Sequence, residues 1–162
     1  MKLERKAYAL YLDSTFNAEG SANWFLIGKD IEDMNVELNP QTESVKNILG
    51  ETSVKDSGYE PSVTADPYYA NPDDAIYPKI KEIAMERKKG DACKTKVLEV
   101  IIKDTGDPTH EAYTEDVIVK PTSYGGDTTG FAIPFQIHFD GNRQKGTVSL
   151  SSGKPVFSPS EQ

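Results

Sequence analysis

Apolar and polar residues alternate along most of this chain, and a period of two is the pattern of a β-strand with one buried face. The first such series puts three residues on one face: Tyr8, Leu10 and Leu12. The longest series has five members: Phe131, Ile133, Phe135, Ile137 and Phe139. The strongest continuous apolar run, at residues 97–102, predicts a further strand. The chain is therefore predicted to be mainly β, and the five-membered series is predicted to lie deep in its core.

A turn signal follows the longest series. Asp140, Gly141 and Asn142 stand between that series and a second alternating stretch at residues 146–150. Glycine adopts positive φ without steric cost, and the tight turns of hairpins require positive φ. We therefore predict a hairpin that turns at these three residues.

One segment has helical spacing. Four apolar residues share a helical face at i, i+4, i+7 and i+8: Ile76, Ile80, Ile83 and Ala84. We predict a helix over residues 74–89, closed by Gly90 in the left-handed conformation. Pro78 leaves two starts open, either at the proline as the first helical residue or after a turn capped near Asp73.

Residues 39–56 form a polar segment in which apolar positions are sparse and alternate weakly. Strand signals on both sides of Gly50 predict a long hairpin. Its composition cannot bury enough apolar surface to fix the backbone, so we predict an arm outside the core that is mobile until a partner orders it. The predicted contact residues of this arm are Asn39, Pro40, Gln41, Thr42, Glu43, Ser44, Val45, Ile48 and Leu49.

These elements predict one domain over residues 1–162, a length that suffices for a hydrophobic core. The predicted fold is mainly β, with two packed antiparallel sheets that form a β-sandwich or a barrel-like core. One flanking α-helix and the hairpin arm complete it.

Charge and composition exclude several classes of protein. The net charge of −8 repels polyanions, so the chain is not expected to grip nucleic acid. The acidic cluster Asp30, Glu32 and Asp33 is either a solvated loop or an assembly or lumen surface. Apolar runs such as residues 24–27 are too short to span a membrane, and the N-terminus shows no apolar secretory segment, so synthesis in a cytoplasm is expected. Cys93 is the sole cysteine and is predicted to be a small buried hydrophobe.

Candidate chemistry is sparse. The best ligand set for a metal contains Asp104, Asp107, His110, Glu111, Glu115 and Asp116. Their spacing fits no EF-hand, and Pro108 and Gly106 indicate a solvated turn. His138 alternates with core aromatics and is predicted to face outward. No nucleophile stands in a catalytic motif. We therefore expect no enzymatic activity, no cofactor and no metal site.

The order of several segments carries a resemblance that extends from about residue 7 to residue 157. In chain order they are WFLIGK at 24–29, MNVELNPQTE at 34–43, GET at 50–52, GYEPSV at 58–63, GDA at 90–92, KVLEV at 96–100 and the segment 141–147. Together they resemble the major tail protein, or tail tube protein, of long non-contractile-tailed phages and prophages.

The resemblance implies a structural subunit that closes into hexameric rings, which stack into a tube for DNA ejection. It implies a place in the virion tail after assembly in the host cytoplasm, with tape measure, terminator and initiator proteins as partners and with no membrane. DNA would pass without specific binding, and the hairpin arm would reach a neighbouring ring. Two alternatives remain open: a β-sandwich module that binds a ligand or carbohydrate, and a tube protein of a contractile or type VI secretion-like machine.

Overall fold

The computed structural model describes residues 2–17, 22–150 and 154–160. Ten strands and one α-helix occur in this part of the chain. The strands are β1 Tyr8–Asp13, β2 Trp24–Ile27, β3 Val36–Glu37, β4 Pro40–Lys46, β5 Thr52–Tyr59, β6 Ser62–Ala65, β7 Lys94–Ile101, β8 His110–Pro121, β9 Phe135–Ser149 and β10 Val156–Pro159. The helix, α1, spans Tyr77–Glu86, and short 3-10 turns occupy Arg5–Ala7 and Gly90–Cys93.

Eight of the strands form one curled antiparallel sheet in the order β2-β1-β7-β8-β9-β6-β3, and β10 pairs with β9 beside this path. Strands β4 and β5 form a separate two-stranded ribbon. The predicted class, mainly β with one flanking helix and a hairpin arm, is confirmed. Because the core strands belong to a single curled sheet, they agree with the barrel-like form of the prediction.

The main core lies on one face of this sheet. Leu10 and Leu12 are buried there, as their alternation predicts, in the same cluster as Ile80 of helix α1, and this helix packs against β8. A smaller core on the opposite face contains Leu98, Val100 and Val148. Cys93 is fully buried, as predicted.

The predicted hairpin turn at Asp140, Gly141 and Asn142 is wrong. Strand β9 continues through these residues, while its register against β8 shifts on both sides of Asp116. Positive φ at Gly141 (103°) and Asn142 (57°) therefore makes a β-bulge, which uses the same backbone conformations as a tight turn. As a result β9 is one long strand that pairs with β6 through its first part and with β10 through its last part.

The five-membered apolar series is only partly buried. Ile133, Phe135 and Ile137 are fully buried and Phe139 packs against the core, but Phe131 is 38% exposed. The prediction is wrong for Phe131 because strand β9 begins at Phe135, so the alternation of a regular strand does not extend back to residue 131.

Helix α1 is shorter than the predicted 74–89. It begins at Tyr77, one residue before Pro78, which therefore lies in the first turn and not at the first helical position considered. At the other end the helix is closed by Arg87, which adopts the left-handed conformation (φ 52°), and the Lys88 N–H donates to the Ile83 carbonyl. Gly90 also has positive φ (71°), but it lies beyond the end of the helix. The described residues contain no helix long and apolar enough to cross a membrane.

Candidate assembly surfaces

The ribbon of β4 and β5, which we call the arm, projects from the sheet. Every residue of β4 is exposed, and so is every residue of β5 except Gly58, which is half-buried. The pairing runs from Pro40 opposite Tyr59 to Lys46 opposite Thr52. Six residue steps at roughly 3.4 Å each give an arm about 20 Å long. The predicted hairpin at residues 39–56 therefore exists and lies outside the core, and all nine predicted contact residues are exposed.

The end of the arm, which we call the tip, is a turn organised by Asn47. The Asn47 Oδ1 accepts hydrogen bonds from the N–H groups of Leu49 (2.9 Å) and Glu51 (3.0 Å), and the Asn47 Nδ2 donates to the Glu51 carboxylate (3.1 Å). Gly50 closes the turn at φ 81°. Since the polar groups are satisfied within the turn, the apolar side chains point outward: Ile48 is 102% exposed and Leu49 is 76% exposed.

The arm joins the sheet through a short neck. The Asn39 side chain donates to the Glu60 carbonyl (3.1 Å), and the Glu60 N–H donates to the Leu38 carbonyl (3.1 Å). Beside this neck lies a cleft of about 590 Å³, which we call the neck cleft. Its lining residues are Arg5, Tyr8, Met34, Asn35, Val36, Leu38, Tyr59, Pro61, Glu99, Glu115, Phe139 and Arg143.

Charged residues form the floor of the neck cleft. The Arg143 guanidinium contacts Glu99 (2.8 Å) and Glu115 (3.1 Å), two carboxylates that are nearly buried. The Tyr8 hydroxyl donates to Glu99 (2.8 Å), and burial together with this carboxylate holds the pKa of Tyr8 well above its ordinary value. A carboxylate is rarely buried without a cation. The floor therefore depends on Arg143.

Sequence reasoning missed this cluster, although a signal for it exists. Glu99 stands inside the apolar run of β7, and a charged residue in a buried strand indicates a partner. The identity of that partner could not be predicted, because Arg143 reaches Glu99 only across β8 and next to the bulge of β9.

The proposed metal ligands do not converge. His110, Glu111, Glu115 and Asp116 belong to β8, so the prediction of a solvated turn is wrong for them. Successive residues of a strand point to opposite faces, and His110 and Glu115 are both nearly buried. The described residues contain no group of three or more ligand side chains that could hold a metal ion. His138 is exposed, as predicted.

The sheet ends in strands that have a neighbour on one side. Strand β2 pairs with β1, β3 with β6 and β10 with β9, and within the described residues each has an open second edge. Leu26 on β2 is 52% exposed and Val156 on β10 is 56% exposed. Open edges of this kind are templates for pairing with another chain.

The acidic cluster lies between β2 and β3. Asp30, Glu32 and Asp33 are all exposed, and the Asp33 carboxylate accepts a hydrogen bond from the Asn35 amide (3.0 Å). A second cleft of about 400 Å³ opens beside Asp30. The cluster therefore has the exposure that a surface role requires, and its role stays a prediction.

Comparison with known proteins gives a likeness of fold. No family model matches the chain, and no curated protein matches it. Among solved structures it is similar to the sheath/tube terminator of the extracellular contractile injection system PVC, in the extended state, determined by cryo-EM. The TM-score is 0.51 and the sequence identity is 10%, and the likeness covers 90% of this chain and 96% of that chain. The two chains share a fold over nearly their whole length.

Proposed function

We propose that the protein is a structural subunit of a phage tail tube, which assembles into stacked hexameric rings and forms the conduit for DNA ejection. The arm carries this proposal: a chain that buries two apolar cores also exposes two large apolar side chains, Ile48 and Leu49, at the end of a protruding ribbon. Exposed apolar groups on a protruding element are typical of an interaction site. The fold that the chain shares with a tube terminator supports the same class of role.

A tube needs two kinds of contact, and the chain offers two kinds of surface. A head-to-tail contact that closes by rotation gives a ring, and a second pair of complementary surfaces stacks rings into a filament. The open edges of β2, β3 and β10 are suited to the contact within a ring. The arm is suited to the contact between rings, because it extends away from the sheet.

The charge of the chain suits a conduit for DNA. Copies with a net charge of −8 repel a polyanion, so DNA would pass without specific binding. The proposed setting is the virion tail, assembled in the host cytoplasm with tape measure, terminator and initiator proteins. The role is structural, and no step of it needs catalysis or a cofactor.

Electron microscopy of the purified chain at increasing concentration tests the proposal. We expect hexameric rings and tubes from the wild type. The double variant Ile48→Ser, Leu49→Ser should keep the monomer fold and lose tubes. Val54→Ser is the matched control, since Val54 is 71% exposed on the side of the same arm. A wild type that stays monomeric in every sample, or tubes of normal length from the double variant, would overturn the proposal.

A second candidate is a tube protein of a contractile injection machine, which is favoured by the class of machine that contains the similar terminator. Sheath subunits assemble around such a tube. Co-sedimentation of preformed tubes with a contractile sheath protein separates the two candidates, because a non-contractile tail tube binds no sheath.

A further inference from the structure

The neck cleft is large enough to receive an occupant. Its volume, about 590 Å³, lies within the range of roughly 300–1,000 Å³ that is usual for small-molecule sites. Met34, Val36, Leu38 and Phe139 form its apolar part. Leu38 is 54% exposed, whereas Met34, which lines the same cleft, is nearly buried. An apolar group that enters the cleft would cover this surface.

The tip provides an apolar group of this kind, but a copy cannot use its own tip. Leu38 and Tyr59 flank the base of the arm and line the cleft, whereas Ile48 and Leu49 are at the opposite end of the ribbon. As long as its strands are paired, a ribbon about 20 Å long does not fold back on its own base. The occupant must therefore come from a second molecule.

We propose that the neck cleft of one copy receives the Ile48 and Leu49 tip of a second copy. This inference rests on the proposed function, and it names the acceptor site for the contact that the arm makes. The contact is head to tail, because the donor and acceptor surfaces differ, so each copy can give its tip to one neighbour and receive the tip of another.

Charges on the two surfaces are complementary. Glu51 at the tip and Arg5 at the cleft each have no ion pair with an oppositely charged side chain among the described residues. The Arg5 guanidinium donates only to the main-chain oxygens of Tyr8 (2.9 Å) and Met34 (3.0 Å). Lys46 is the other charged residue near the tip. Its positive charge is complementary to the floor of the cleft, where the carboxylates of Glu99 and Glu115 share the single guanidinium of Arg143 and leave a net negative charge. Docking can therefore pair a charge of each sign.

The contact is too small to hold two copies together alone. A stable specific interface buries about 1,200–2,000 Å². Two tip side chains cover only a minor part of that area. The contact is effective when several tips dock at once, as when a second ring meets a complete first ring, because linked contacts raise the effective concentration of each. Single copies therefore stay apart until a ring is present.

Cysteine crosslinking between two singly substituted chains tests the acceptor site. Ile48→Cys is mixed with Asn35→Cys, an exposed position in the neck cleft, or with the control Lys29→Cys, an exposed position beside the second cleft. Cys93 is buried and does not compete. We expect disulfide dimers from assembled samples of the first mixture, at least tenfold above the control. Tubes without this crosslink, or with more crosslinking to Lys29→Cys, would overturn the acceptor site and leave the tube function standing. Absence of any assembly would overturn both.

Charge reversal gives a second readout. Arg5→Glu and Glu51→Arg should each raise the concentration at which tubes form by severalfold, and the double variant should restore it towards the wild-type value. Monomer melting curves separate this effect from the loss of the Arg5 hydrogen bonds. A double variant that assembles no better than the worse single variant would contradict the proposed pair.

Discussion

Phe135 shows most directly how one residue holds the main core. It is fully buried, and its ring meets the Tyr68 ring edge to face at a centroid distance of 5.6 Å. Phe135→Ala should lower the free energy of unfolding by about 3–5 kcal/mol, since it removes buried area and leaves a cavity. Phe131→Ala, at the 38% exposed position of the same series, should change it by less than about 1 kcal/mol. Urea denaturation measures both, and equal losses would contradict this placement of the core.

Tyr8 gives the molecule a pH dependence on the alkaline side. Burial, and then the negative charge and hydrogen bond of Glu99, raise the pKa of Tyr8 above its ordinary value of 10.0. The folded chain thus keeps the phenol proton at a pH where the unfolded chain releases it. The stability that this provides is complete below about pH 10 and falls as the pH rises further.

Tyr8→Phe should therefore flatten the fall of stability as the pH rises above about 10. Tyr59→Phe, at a 62% exposed position, is the control and should keep the wild-type slope. Denaturation curves across this range measure both slopes. The same slope for Tyr8→Phe and wild type would show that Tyr8 does not hold its proton in this way.

The arm is an element that does not pack against the hydrophobic core. An isolated two-stranded hairpin is marginally stable in water, and this one buries none of its side chains. We expect fast hydrogen exchange at residues 39–56 in the monomer and slow exchange in assemblies. Strong protection in the monomer would contradict this.

Shortening the arm to a tight turn gives a complementary test at the same scale. The sheet strands are untouched, so the monomer should keep its melting temperature within a few degrees. Tubes should not form. Circular dichroism and electron microscopy measure the two outcomes, and tubes of normal length would show that the arm is dispensable.

Elements with a regular period could be predicted, and those that depend on a distant partner could not. Leu10 and Ile80 are buried because their spacing alone selects one face. Gly141 and Asn142 led to the wrong prediction of a hairpin turn, because positive φ is common to hairpin turns and β-bulges. Only the pairing with β8 distinguishes the two. The Arg143 cluster was missed for a similar reason, since a side chain selects its partner across strands and not along the chain.

At the scale of the whole molecule, charge opposes assembly. Copies with a net charge of −8 repel one another, and salt shortens the range of this repulsion from about 10 Å at 0.1 M to about 3 Å at 1 M. The apolar part of the tip contact does not depend on screening in this way. Salt also weakens the charge pairs proposed between tip and cleft, but these are few beside the net charge of −8 on every copy. The concentration at which tubes appear should thus fall as NaCl rises. Light scattering measures this concentration, and the shortened-arm variant is the control that should not scatter at any salt concentration. Tubes that dissolve at high salt would show that charge repulsion does not limit assembly.

The strand order has a consequence for synthesis on the ribosome. Strands β7, β8 and β9 are neighbours in both sequence and space, so they can pair as they emerge. One edge of β1 can pair early with β2, but the other must wait for β7: Tyr8 and Glu99, which are hydrogen bonded, are 91 residues apart. At a translation rate of roughly 5–20 residues per second, this edge of β1 stays unpaired for about 5–20 s. Over that interval the nascent chain is open to capture by a chaperone or to mispairing with another nascent copy.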